Sequence, residues 1–117
     1  MHQGLASILT MFLLVSFGTI QAQSVTCEKE DKQQLDVAIF NYLKTHTAVP
    51  ANSVTLLSKQ CVMPYAVAIV HPVKPITDDA VIYLQKVDDQ WQVMDMGTSF
   101  DDDFLAKLPA QLRHPNE

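Results

Sequence analysis

The hydrophobic period of this chain changes near Pro50, and that change limits the folds that are open to it. Within residues 28–46 the apolar residues recur at helical spacing, at Leu35, Ala38, Ile39, Tyr42 and Leu43, which predicts one face of an α-helix. Asp31 and Gln34 have the spacing of a capping box near the start of this helix. Beyond Pro50 and Asn52 the period becomes two, which predicts strands.

Four strands are predicted after the helix, at residues 54–62, 65–71, 80–87 and 90–97. The second strand is apolar on both faces, which favours a central place in the sheet, and its alanines allow a helix to approach closely. The stretch between the second and third strands holds two prolines and is not a central strand. The resulting order of elements predicts an α+β fold with a long N-terminal helix packed on a four-stranded antiparallel meander.

Asp88-Asp89 predicts a tight hairpin turn between the third and fourth strands. A two-residue loop places Leu84 opposite Val93, Lys86 opposite Trp91 and Ile82 opposite Asp95. The other face of this hairpin is then expected to carry Val81, Tyr83, Met94 and Met96.

A short C-terminal helix is predicted to follow, because Ser99 and Asp102 have capping-box spacing and Pro109 ends the segment. Its apolar residues are Phe104, Leu105 and Leu108. They are expected to cover the second face of the sheet, and the alternative is that this face is free to bind a partner.

An apolar segment precedes the helix and predicts export. Residues 5–20 carry no charge, and they are shorter than the roughly 20 residues that a membrane span needs. The small and polar residues Gln21-Ala22-Gln23-Ser24 favour cleavage after Ala22. We therefore predict a signal peptide at residues 1–22, a single domain at residues 23–117, and a periplasmic or secreted location. The alternatives are an uncleaved anchor, because residues 1–4 lack Lys and Arg, and lipidation at Cys27.

Cys27 and Cys61 are the only cysteines, and an even number in an exported chain predicts a disulfide. A redox couple usually has C-x-x-C spacing, which is absent. A metal site needs more ligands than two cysteines, and the histidines have no ligand spacing around them. We predict neither a metal site nor a cofactor.

The charge of the chain excludes some partners and leaves others. Eight Lys and Arg against thirteen Asp and Glu give a net charge of −5, so neither nucleic acid nor an anionic membrane surface is an expected partner. The chain has no nucleophile elbow, and its aspartate runs lie at turns and helix starts, where aspartate is favoured for local hydrogen bonding. No catalytic residue is assigned, and the chain is predicted not to be an enzyme.

A disulfide-tethered helix is followed by the strand Tyr-Ala-Val-Ala-Ile-Val, a hairpin, and a closing strand from Trp91-Gln92-Val93 to Gly97-Thr98. This order resembles small exported bacterial proteins of the helix-plus-meander kind. Several of those are periplasmic immunity proteins or inhibitors that block cell-wall hydrolases. The resemblance implies a protein-binding module and carries over no catalytic residue.

Charge and topology together place the expected binding surface at one end of the sheet. Antiparallel pairing brings the stretch before the third strand beside the segment that follows the fourth, and the resulting group is His71, Lys74, Asp78, Asp79, Asp101, Asp102 and Asp103. Five carboxylates at one edge repel each other unless a cationic partner screens them, so a basic protein is the expected partner, with a secreted cell-wall hydrolase as the most concrete case. The alternative is a small-ligand carrier with a pocket between helix and sheet, lined by Ile39, Tyr42, Tyr65 and Trp91. An exposed edge strand also makes a homodimer accessible.

Overall fold

The computed structural model describes residues 25–74 and 77–115, and the predicted signal peptide lies outside them. Helix α1 (Lys29–His46) is followed by strands β1 (Val54–Val62), β2 (Tyr65–Pro72), β3 (Ala80–Val87) and β4 (Gln90–Gly97). The strands pair antiparallel in the order β1-β2-β3-β4. The predicted α+β class and the four-stranded antiparallel meander are therefore confirmed.

Helix α1 packs on one face of the sheet through a single stripe of its side chains. Leu35, Ile39 and Leu43 are completely buried and lie four residues apart, on the same side of the helix. The facing side chains of β2 include Ala66 and Ala68, which are also completely buried. Two small side chains opposite the helix allow it to lie close to the sheet, as the sequence predicts.

A bulge in β4 changes the predicted hairpin register. Asp88 and Asp89 form the predicted tight turn, with φ angles of 51° and 64°, the left-handed values that match the twist of a two-residue hairpin. Leu84 lies opposite Val93 as predicted, but Tyr83 lies opposite Asp95, so Met94 is an extra residue in β4.

The prediction that Ile82 faces Asp95 is wrong, because the bulge shifts the pairing and places Ile82 opposite Met96. Met96 consequently packs against the core between sheet and helix, and its predicted place on the second face is wrong as well. Val81, Tyr83 and Met94 do lie in the core of the second face.

The C-terminal segment covers the second face, as expected. Phe104, Leu105 and Leu108 pack with Val81 and Tyr83. The predicted C-terminal helix is reduced to two short turns. Asp102–Leu105 form a single helical turn, α2, and Ala110–Leu112 form a 3-10 turn. Asp101 is the N-cap of α2 without a side-chain hydrogen bond, so the predicted capping box of Ser99 and Asp102 is wrong.

The Tyr83 hydroxyl fastens this covering segment to the sheet. Its single proton is shared between two acceptors, the Leu112 carbonyl at 2.8 Å and the Arg113 carbonyl at 3.1 Å. Leu112 is completely buried, so the second face contributes core and is not a free apolar surface.

Cys27 and Cys61 form the predicted disulfide, with a sulfur–sulfur distance of 2.11 Å and a Cα–Cα distance of 4.9 Å. The amide of Cys61 also donates a 2.7 Å hydrogen bond to the Val25 carbonyl. The segment before α1 is thereby joined to the end of β1. No helix in residues 25–74 or 77–115 is long and apolar enough to cross a membrane.

Candidate functional site

Helix α1 ends before it has covered the whole sheet, and the uncovered end is a cleft of about 740 Å³. All four strands contribute to the floor of the cleft, through Val54, Val70, Ala80 and Met96, and Leu43 of α1 also lines it. The helix stops at His46 because Thr47 is extended and caps it: the Thr47 hydroxyl donates a 2.6 Å hydrogen bond to the Leu43 carbonyl.

Two loop segments form the walls of the cleft. Residues 48–53 line one side, and residues after β2 line the other. The amide of Val73 donates a 2.8 Å hydrogen bond to the Ser53 carbonyl and joins the two walls. Val49 and Val73, at the rim, are 37% and 59% exposed, so the apolar surface of the cleft continues outward onto the protein surface.

The structure divides the predicted binding residues between the two sides of the sheet. Lys74 and Asp78 line the cleft. His71 follows Val70 in β2, and strand alternation therefore turns its side chain to the opposite face. The run Asp101–Asp103 begins the segment that covers that same opposite face.

His71 and Asp79 are partners of each other. The two side chains are joined by a 2.7 Å hydrogen bond from His71 Nδ1 to Asp79 Oδ1. A carboxylate only accepts hydrogen bonds, so Nδ1 carries the proton. In the part of the chain that the structure describes, no hydrogen bond or ion pair joins this pair to Asp101, Asp102 or Asp103.

Sequence reasoning missed most of the cleft. The four residues of the expected pocket are not brought together, because Ile39 is completely buried between α1 and the sheet and Tyr65 packs in the core of the second face. Of these four residues, Tyr42 and Trp91 alone line a pocket of about 320 Å³. Trp91 is only 7% exposed. The signal that was available in the sequence is Pro50, which shows that the helix must end before the first strand begins.

A second polar cluster, at the other end of the sheet, is satisfied internally. Asp31 accepts hydrogen bonds of 3.0 Å from Lys86 Nζ and 3.2 Å from Trp91 Nε1. The Lys86 ammonium also lies 5.7 Å from the centre of the Trp91 ring. The hydrogen bond that Lys86 donates to Asp31 raises the pKa of Lys86 above its ordinary value. This arrangement joins α1 to the hairpin.

Among the described residues, no group of three or more His, Cys, Asp and Glu side chains is placed to hold a metal ion. The cleft therefore offers an apolar floor with one amine, from Lys74, and one carboxylate, from Asp78. Such a lining binds apolar groups and orients them through a small number of polar contacts. No family model, curated protein or solved structure matches this chain.

Proposed function

We propose that this chain is an exported, non-enzymatic binding protein that holds an apolar part of a protein partner in the cleft. The observation that carries the proposal is the cleft itself, whose floor is built from all four strands and is left open by α1. Its volume lies within the range of about 300–1,000 Å³ that is usual for binding pockets.

A protein partner is favoured because the apolar surface does not end at the rim. Val49 and Val73 are exposed beside the opening, and an apolar surface that extends from a cleft is typical of protein interfaces. The net charge of −5 favours a basic partner. The resemblance to periplasmic inhibitors makes a cell-wall hydrolase the first partner to test.

The disulfide supports export, since such bonds persist in oxidising compartments. Cys27 and Cys61 are both buried, at 4% and 7% exposure, and they serve the fold. A periplasmic or secreted location after cleavage at Ala22 is part of the proposal.

Inhibition assays with purified cell-wall hydrolases test the proposal. Muramidase, amidase and endopeptidase activities on peptidoglycan are measured with increasing concentrations of the protein. We expect inhibition of at least one enzyme, and Val73→Asp is expected to relieve it, because a carboxylate at the rim disfavours entry of an apolar group. Val37→Asp is the matched control, since Val37 is 63% exposed on α1, outside the cleft.

Two results contradict the proposal. If Val73→Asp and Val37→Asp inhibit as well as the parent does, the binding surface lies outside the cleft. The absence of inhibition across all three classes of enzyme removes the hydrolase from the proposal.

The cleft also supports a second candidate, a small-ligand carrier, because its floor residues Val54, Val70, Ala80 and Met96 are all apolar. Native mass spectrometry of the protein from the exported fraction, before and after organic extraction, separates the candidates. A carrier is expected to show an extractable adduct of constant mass that Val73→Asp diminishes. A protein-binding module is expected to show the mass of the chain alone.

A further inference from the structure

We infer that His71 and Asp79 form a positioning pair, which holds the floor of the cleft in place from the reverse side of the sheet. The inference rests on the proposal that the cleft is the binding site. It assigns a role in binding to two residues that do not touch the occupant.

The pair lies where the backbone ladder between β2 and β3 ends. Val70 opposite Ala80 is the last pair in that ladder, and both residues are part of the floor of the cleft. One position further, the His71 and Asp79 side chains make their 2.7 Å hydrogen bond. This side-chain bond stands where the next rung of the ladder would be.

Both partners are flanked by residues of the cleft. His71 lies between Val70 and Pro72, and Asp79 lies between Asp78 and Ala80, and all four of these neighbours line the cleft. Strand alternation turns the His71 side chain to the opposite face. The pair therefore sets the distance between the ends of β2 and β3 without occupying the cleft.

Exposure decides how strong the effect is. The His71 and Asp79 side chains are 47% and 39% exposed, and exposed pairs of this kind change an equilibrium by about two- to fivefold. Such an effect is too small to unfold the domain. It is large enough to appear in the affinity of a site whose floor residues are neighbours of the pair.

The test uses N-phenyl-1-naphthylamine, an uncharged apolar fluorophore, as the probe of the cleft. Its affinity is measured for the parent, His71→Ala, Asp79→Ala and the double variant. We expect each single variant to bind about two- to fivefold more weakly and the double variant to bind no more weakly than either. Asp103→Ala, an exposed carboxylate in α2, is the matched control and is expected to leave affinity unchanged.

Rescue separates positioning from loss of charge. Asp79→Asn keeps an oxygen that accepts the hydrogen bond from Nδ1, so it is expected to bind the probe as the parent does. Unchanged affinity in both alanine variants, or additive losses in the double variant, would overturn the inference.

A second measurement keeps the inference testable if the probe does not bind the parent, a result that counts against the proposed function. The Val73 amide donates a hydrogen bond to the Ser53 carbonyl, one position beyond the Val54–Pro72 pair that ends the β1–β2 ladder. If the pair positions the end of β2, His71→Ala makes this amide exchange with solvent about two- to fivefold faster, with the melting temperature unchanged. An exchange rate equal to that of the parent would show that the pair has no positioning role.

Discussion

The indole N–H of Trp91, in β4, donates a 3.2 Å hydrogen bond to the carboxylate of Asp31, in the first turn of α1. The same oxygen of Asp31 accepts a hydrogen bond from Lys86 in β3. Asp31 therefore does not act as the helix cap that its spacing from Gln34 predicts, and Glu28 is the N-cap without a side-chain hydrogen bond. The carboxylate of Asp31 thus bonds to side chains of the sheet and not to the backbone at the start of its own helix.

Replacement of Asp31 by alanine is expected to destabilise the fold by about 1–3 kcal/mol, because it leaves the largely buried indole N–H of Trp91 without its acceptor. Chemical denaturation monitored by Trp91 fluorescence measures the change. Glu30→Ala is the control, since Glu30 is exposed in the same turn and its side chain makes no hydrogen bond in the described structure. Equal stability of the two variants would show that the contact adds nothing.

Stability is expected to fall as the pH rises above about 10. Burial raises the pKa of Tyr83 above 10.0, and the hydrogen bond that Lys86 donates to Asp31 raises the pKa of Lys86 above 10.5. A raised pKa means that the folded state binds the proton more tightly than the unfolded state. The resulting stabilisation is complete below the unfolded-state pKa values and is lost as the pH passes the folded-state values.

Titration at 295 nm, where phenolate absorbs, checks the Tyr83 part of this prediction. The difference between the parent and Tyr83→Phe reports Tyr83 alone, and its midpoint is expected above pH 10.0. A difference curve centred at or below that pH would contradict the prediction.

The disulfide is expected to supply a large part of the stability of this domain. Cys27 and Cys61 are 34 positions apart, and the chain-entropy model gives about 3.8 kcal/mol for a loop of that length. The double variant Cys27→Ser/Cys61→Ser is expected to lose up to that amount of its free energy of unfolding. The parent with its disulfide reduced is expected to be as stable as this variant. Mass spectrometry of the exported protein is expected to find no free thiol, and two free thiols would refute the bridge.

Local patterns were enough to predict α1 and the four strands of this fold, but not the form of its C-terminal segment. The bounds of β1, β3 and β4 follow from period-two alternation and from turn residues such as Asp88-Asp89. The bulge was not predictable, because nothing in the sequence around Met94 marks an extra residue. The bulge places Met96 in the core between sheet and helix and not on the second face. A register counted outward from the Asp88-Asp89 turn is correct only as far as the pair Leu84 and Val93.

The cleft was harder to predict than the strands, because it depends on where α1 lies relative to the end of the sheet. The sequence shows that the helix ends before Pro50, but it does not show which strand residues the helix leaves uncovered. Lys74 and Asp78 were predicted as binding residues from charge and strand topology, and they line the cleft. Their apolar neighbours Val70 and Ala80 lie in predicted strands, where the sequence pattern indicates buried core residues and not the floor of a cleft.

The carboxylates of α2 are expected to steer a basic partner toward the protein. Asp102 and Asp103 are exposed, and their side chains make no hydrogen bond or ion pair in the described structure. Asp79 is kept intact in this test because it bonds to His71. Asp102→Asn/Asp103→Asn is expected to slow association with any hydrolase that the protein inhibits, and to leave the melting temperature nearly unchanged.

The matched control for this test removes two charges at the other end of the sheet. Asp88→Asn/Asp89→Asn keeps the turn, because asparagine tolerates the left-handed conformation of both positions. Stopped-flow association is measured at low and at high salt. The rate of the Asp102/Asp103 variant is expected to fall several-fold below that of the control at low salt and to equal it at high salt, where the field of exposed charges is screened. Equal rates at low salt would show that the partner approaches from a side where these two carboxylates have no influence.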